Sequence, residues 1–526
     1  MKKIAFVFSI VFLVALIITT SAWADLPGTG WWSGLFVQNI GGDSGVVQMT
    51  AYDSQSSSIF GSEKFSFDYG QALIYDPGKT AGYPANNYIG FSPSLPQGFE
   101  GSVVLEASVP IAAVSELANY RNGGVGVTGG TAAARYQGMS SEAVDTTLSV
   151  PTIKNNFVGQ TTTVFVQAAG QDASVTIVYN MANGASFDQT VAIEANRMYM
   201  FDPGTAGVPS SGCGFDGNTS PCHGSAVITS TTGQIAAIVV EHAHQGSPAG
   251  FALSTRAQTS SDQDTILYHP TTKNNFWGHM DAGATIMNVG TGPALVRITL
   301  SVTNVDRNSS AQIGETFVDY EEIQPGESAV FSRWRNNMGG MPEGTFAAAV
   351  VESITGPVPG FPDTYELQNL VGSTNDRKVM PNVTGGLGLT LYAGFADQNK
   401  TNHISAPIVR ERVDGITSGI TVQNVGDAPA NMTFYYYEYG TDNVYTFETK
   451  DPVAVGKATV TTLLSQQGAD RFNIVDGFSS WSELNNKQFS VIVSSDQPII
   501  GLNSEYAIAD NRDMANYETI NLQSIP

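Results

Sequence analysis

The chain has 526 residues, room for three to four domains at about 150 residues each. Apolar residues make up 42% and aromatics 10%, which excludes wholesale disorder, while 55 glycines and only 13% charged residues disfavour a helical bundle or coiled coil. The net charge of -23 makes it a poor partner for phosphate backbones and argues against nucleic-acid binding.

The chain opens on Lys2 and Lys3, an apolar run over residues 4–20, and the small-x-small triplet Ala22-Trp23-Ala24. This pattern predicts a secretory signal peptide over residues 1–24, and hence a secreted or cell-surface protein. No later apolar stretch reaches ~20 residues, so no membrane-spanning segment is expected in the mature chain. The only two cysteines, Cys213 and Cys222, lie in a Gly/Ser/Pro loop, and in an oxidising compartment they predict a local disulfide.

From there on the chain repeats. PTIKNNFVG begins at Pro151, PTTKNNFWG at Pro270 and a weaker PIVRERVDG at Pro407. Gln167 in VFVQAAG and Gln423 in ITVQNVG each follow their proline by the same interval, and LFVQNIGG (Gln38, Asn39) and TIMNVGTG (Asn288) supply the other two copies. Segments with period-two alternation come next. In the second copy Val175, Ile177 and Tyr179 share one face; in the third, Val296, Ile298, Leu300 and Val302 do. Asp76-Pro77-Gly78, Asp202-Pro203-Gly204, Gln324-Pro325-Gly326 and Val455-Gly456 predict type II turns between strands. An apolar strand pair closes the unit, as in GSVVLEASVPIAAV from Gly101.

Units of ~120 residues with no helical period fit a β-sandwich. The expected fold is therefore all-β, four tandem Ig-like β-sandwich domains arranged as an elongated rod. The boundaries are 25–151, 152–270, 271–407 and 408–526, the third unit being irregular with an insertion.

These motifs resemble the tandem Ig-like β-sandwich repeats of secreted and cell-surface proteins of bacteria such as Chloroflexi. There a Pro-led strand, a V-Q-N-x-G strand end, a P-G turn and a G-S-x-V-V…P-I-x-A-V pair recur. The resemblance implies a surface or adhesive role and names no ligand.

The strand before each proline either closes the preceding unit or opens the next. In the second case the first unit lacks its opening strand and residues 517–526 are a spare. That spare, with Thr519, Ile520, Leu522 and Ile525 as donor residues, would complete another molecule's sheet.

Catalytic chemistry is thin. Gly42-Asp43-Ser44-Gly45 mimics a serine-protease motif but reads as a hairpin turn, and the first histidine lies far downstream. His242 and His244, with His223 as a third ligand, are the candidate metal set. Asp262-Gln263-Asp264 lies near a junction where Ca²⁺ could be held. Trp31 and Trp32 are the candidate sugar-stacking residues. The expected function is a non-enzymatic extracellular structural or adhesion protein, whose partners are other copies of itself or extracellular polymers. The alternative is a secreted carbohydrate-binding protein that uses exposed aromatics.

Overall fold

The computed structural model describes residues 9–13, 31–79, 81, 87–119, 132–213, 219–244, 251–379, 387–413, 415–507 and 515–522. Among these the chain is all-β, with one short α-helix, Leu464–Arg471. Almost every strand pair is antiparallel, and four units succeed one another along the chain. The period-two segments behave as their patterns require. Ala173–Met181 alternates buried and half-buried residues, with Val175, Ile177 and Tyr179 sealed inside. Val296, Ile298, Leu300 and Val302 do the same one unit later. Each such side chain removed from water contributes about 1.5–3 kcal/mol, which fixes the register of these strands.

The V-Q-N-x-G strand ends are braces. Asn39 Nδ2 donates to Asp43 O (2.8 Å) and Phe67 O (3.1 Å), and its Oδ1 accepts from Gly41 N (2.9 Å). Asn288 and Asn424 repeat this arrangement across their own turns. The second unit has Ala168 instead, and Asn196 from a neighbouring loop supplies the acceptor for Gly170 N. Gln38, Gln167 and Gln423 donate to the carbonyls of Gly70, Asn196 and Gly456.

Two of the four expected type II turns hold: Gly326 and Gly456 have φ of 77° and 73°. At the other two, Asp76 and Asp202 accept the Gly78 and Gly204 amides on their own carboxylates (2.8 and 2.7 Å), and those glycines stay out of the positive-φ region.

The pairing places the Pro-led strand with the unit that follows it. Residues 147–150 pair with 226–229, and after a register break at Pro151 residues 153–154 pair with 223–224. The same break falls at Pro270 and Pro407, where a residue without an amide hydrogen is tolerated because a bulge interrupts the ladder. Each boundary therefore lies a few residues before its proline.

Among the described residues after 24 the first unit has no such strand. The place beside Gly101–Ala107 is taken by Ser9–Leu13, within the expected signal peptide, with Ser9 opposite Ala107 and Leu13 opposite Val103. Its other edge pairs with Met139–Ser140.

The rod is overturned. The strands Ala132–Gln137, Ala252–Arg256, Leu387–Ala393 and Ala515–Glu518 are the equivalent members of the four units, and they meet at one centre. They pack on one another in cyclic order, with Thr255 Oγ1 also reaching Glu518 across the centre (2.8 Å), so the fourth unit returns to the first. Apolar clusters cross every boundary. Phe165, Ile238 and Val240 join the first unit's core. Leu253 meets Leu389 and Leu391. Tyr268 and Phe395 meet Ile500 and Leu502, and Phe36 and Val114 join the fourth unit's core. This close approach removes apolar edges from water that a string of separate units would leave exposed.

Candidate functional sites

One buried ion pair recurs and explains the cation of the Pro-led motif. Lys154 Nζ lies 2.7 Å from Glu241 Oε2. Lys273 pairs with Asp376, and Arg410 Nη1 lies 2.5 Å from Glu505 Oε1. In each case the cation stands three residues after the anchoring proline, and the acid lies on the strand paired with the one that carries Gln167, Asn288 or Gln423. The matching acid of the first unit is Glu116. Its cation comes from elsewhere: Arg135 donates to Glu116 (Nε, 3.0 Å) and also to Glu505 of the fourth unit. Arg135 is wholly buried. Burial alone would lower its pKa, but the two carboxylates more than offset this and hold it charged. The ring is thus closed by a shared guanidinium where the first and fourth units touch.

The expected metal set does not assemble. His242 is buried, with Nε2 3.0 Å from Thr163 Oγ1 and Nδ1 3.0 Å from Ala243 O. Burial lowers its pKa to about 4, so it is neutral. His244 Nδ1 lies 2.7 Å from Thr161 Oγ1, and His223 packs against the Phe157 ring at 4.9 Å. Among the described residues no three His, Cys, Asp or Glu side chains gather as a metal site.

The Asp262-Gln263-Asp264 segment is also committed to protein donors. Asp262 accepts two bonds from Arg256 (2.5 and 2.6 Å) and one from Thr259 N. Asp264 accepts the amides of Thr265 and Gln398. Ser44 Oγ donates to Asp68 Oδ1 at 2.5 Å, as a turn residue does.

Of the expected stacking pair, Trp31 is only 3% exposed and belongs to the first unit's core, and Trp32 is half-buried. Alternation along Trp31–Asn39 turns Trp31 inward. The run Phe434–Tyr437 alternates likewise, with Phe434 and Tyr436 buried. The open indoles lie in the third unit: Trp277 is 61% and Trp334 65% exposed. Both sit at turns rather than in aromatic runs, so run-counting passes over them. Cys213 and Cys222 are disulfide-bonded as expected.

The expected spare strand is not spare. Ala515–Glu518 pairs with residues 502–505, and Ile520–Leu522 pairs with 403–405 of the same unit. Leu522 and Thr519 are buried and Ile520 half-buried. Thr519 Oγ1 donates to Gly501 O at 2.8 Å. Ile525 lies outside the described residues. No helix among the described residues is long and apolar enough to cross a membrane.

No family model and no curated protein matches the chain. The resemblance to Chloroflexi-like repeats therefore has no family-level support. Among solved structures, Thermotoga maritima 1070 aligns with 26% of this chain and 96% of its own at 19% identity, with a TM-score of 0.18. A tetra-tandem repeat from the extending region of a large adhesion protein aligns over 94% of this chain and 95% of its own at 11% identity, with a TM-score of 0.10. Escherichia coli alpha-2-macroglobulin activated by porcine elastase aligns over 97% and 44% at 9% identity, with a TM-score of 0.09. Similarity at that level carries no argument about function.

Proposed function

We propose that this chain is an exported, non-enzymatic structural or adhesion protein whose copies assemble by exchanging a strand at the first unit. One observation carries the reading: three units supply their own opening strand, whereas in the first unit that place is held by Ser9–Leu13 from the segment read as a leader. Leader removal takes this strand away. It leaves Gly101–Ala107 and Met139–Ser140 as unpaired edges over a core that holds Val103 and Leu105. An open edge over an apolar core is a template for β-augmentation.

The donor is the segment 519–526 of a second copy. In its own unit Ile520–Leu522 pairs with 403–405 and Thr519 bonds Gly501, and exchange has to release these contacts. A head-to-tail contact of this kind continues from copy to copy unless it closes. The covalent loop staple and the absence of long apolar helices among the described residues are compatible with life outside the cell.

The test is negative-stain microscopy and sedimentation of a chain beginning at Asp25, with and without residues 519–526. Filaments or multimers from the longer chain and monomers from the shorter support the reading. Monomers from both overturn it.

A further inference from the structure

The third unit contains a cavity of about 380 Å³ walled by Asn274, Arg333, Trp334, Asn336, Met341 and Glu343. The corresponding corner of the second unit is braced differently. There Asn155 Nδ2 and Asn156 Nδ2 hold Val208 O (2.6 Å) and Ser210 O (2.9 Å), and the Cys213–Cys222 staple fastens the loop across them. In the third unit Asn274 Nδ2 holds Met341 O at 2.6 Å, but its Oδ1 has no hydrogen-bond partner although the residue is only 8% exposed. A buried amide oxygen left unpaired costs about 1–3 kcal/mol, which a hydroxyl donor would recover once a small shift of the Asn274 side chain opened it to the cavity.

The rim is aromatic and charged. Trp334 projects to solvent, with the Arg333 guanidinium 4.7 Å and that of Arg377 5.5 Å from its ring centroid. Arg333 is oriented by Asp281 (3.1 Å) and Glu343 (3.2 Å). Nearby, Asn275 donates to Glu343 (2.9 Å), and two residues on Trp277 stands 61% exposed. Trp277 stacks on Phe276 at 4.6 Å and is held at φ 54° by a bond from its amide to Asp306 (2.7 Å). Its counterpart in the second unit, Val158, has the same backbone (φ 49°) and is also exposed, so the repeated turn sets the side chain at this place toward water.

We propose that this corner of the third unit binds a pyranose ring of an extracellular polysaccharide. Trp334, with Trp277 as an outlying platform, takes the apolar face of the sugar. Its hydroxyls meet Asn274 Oδ1, the Asn336 amide and the Arg333–Glu343 pair. The cavity volume suits one or two rings, and a few convergent polar groups beside an exposed indole are what such a ligand needs. This rests on the carbohydrate-binding alternative but moves it from Trp31 and Trp32 to a different unit, and it does not depend on strand exchange.

The test is affinity electrophoresis of the chain from Asp25 through gels containing dextran, hydroxyethyl cellulose or alginate, followed by calorimetry with cellohexaose and mannuronate oligomers. The neutral and acidic arms distinguish the two sources of a pyranose. Retardation in at least one arm is expected, weakened about tenfold or more by Trp334→Ala and less by Trp277→Ala. The equally exposed Val475→Ala should leave it unchanged. Both indoles are solvent-facing, so the fold tolerates their loss. Multimers and monomers should bind alike, so a failure of assembly leaves this result readable. No retardation in any arm, or wild-type affinity in Trp334→Ala, overturns the proposal.

Discussion

Lys154 Nζ and Glu241 Oε2 are 2.7 Å apart and both residues are buried, one on the strand that opens the second unit and one on a strand of its opposite sheet. The pair links the two layers at the point where the Pro-led strand crosses between them. Removing one partner strands a charge in a place water does not reach, at a cost of about 3–5 kcal/mol. Lys154→Met is therefore expected to lower the unfolding midpoint sharply. Lys154→Met combined with Glu241→Leu should recover most of the loss, because no charge is then left uncompensated. Urea unfolding of the four proteins in this cycle checks both statements. Equal destabilisation by the single and double variants would contradict them.

Arg135 ties Glu116 to Glu505 and so joins the ends of the ring. Arg135→Leu leaves Glu116 and Glu505 with Arg410 as their remaining cation, at 3.7 and 2.5 Å, one guanidinium where the fold has two. The expected result is loosening of the first unit from the fourth, seen as a separate early melting transition. Small-angle scattering of the wild-type monomer should give a radius of gyration near ~25 Å, as for a compact body of this length. Four sandwiches end to end would give a markedly larger radius and a skewed distance distribution.

Acid should unfold the protein through its buried histidines. Burial lowers the pKa of His242 to about 4 and that of His269 to about 3, so both are neutral in the fold. In the unfolded chain they titrate near ~6.5. Below that value the unfolded state binds protons that the folded state does not, so stability falls as pH drops from about 6.5 toward 4. Asp262 acts in the same direction at lower pH: burial raises its pKa, but Arg256 outweighs this and holds it below the ordinary carboxylate value. Unfolding midpoints across pH 4–7 should show this slope, and His242→Gln should reduce it by about one proton. A flat profile would contradict the assignment.

The repeated unit was legible because its signals are local. Gln38, Asn39, Asn288, Gln423 and Asn424 recur because a side-chain amide bracing a turn needs a fixed spacing from it. The cation of PTIKNN was visible, but its role was not, since Glu241 lies 87 residues on. The ring was not legible. Ala252, Leu253, Leu389 and Leu391 look in sequence like ordinary inner-strand residues, and nothing in their pattern says whether the apolar face they complete belongs to their own unit or to the next. Arg135 likewise carries no motif; only its burial between two carboxylates sets it apart. Trp334 carries no sequence signal, because its exposure comes from its place on the short 3-10 helix Arg333–Arg335 and not from an aromatic run.

The claim on which the functional reading turns is that the first unit lacks a strand of its own. Hydrogen exchange on a chain beginning at Asp25, kept monomeric by deleting residues 519–526, tests it most directly. Amides of Gly101–Ala107 that face the missing strand should exchange far faster than those of the equivalent His223–Ser230, and adding a peptide that spans residues 9–13 should slow them. Equal protection of the two strands in the monomer, unchanged by the peptide, would contradict the account.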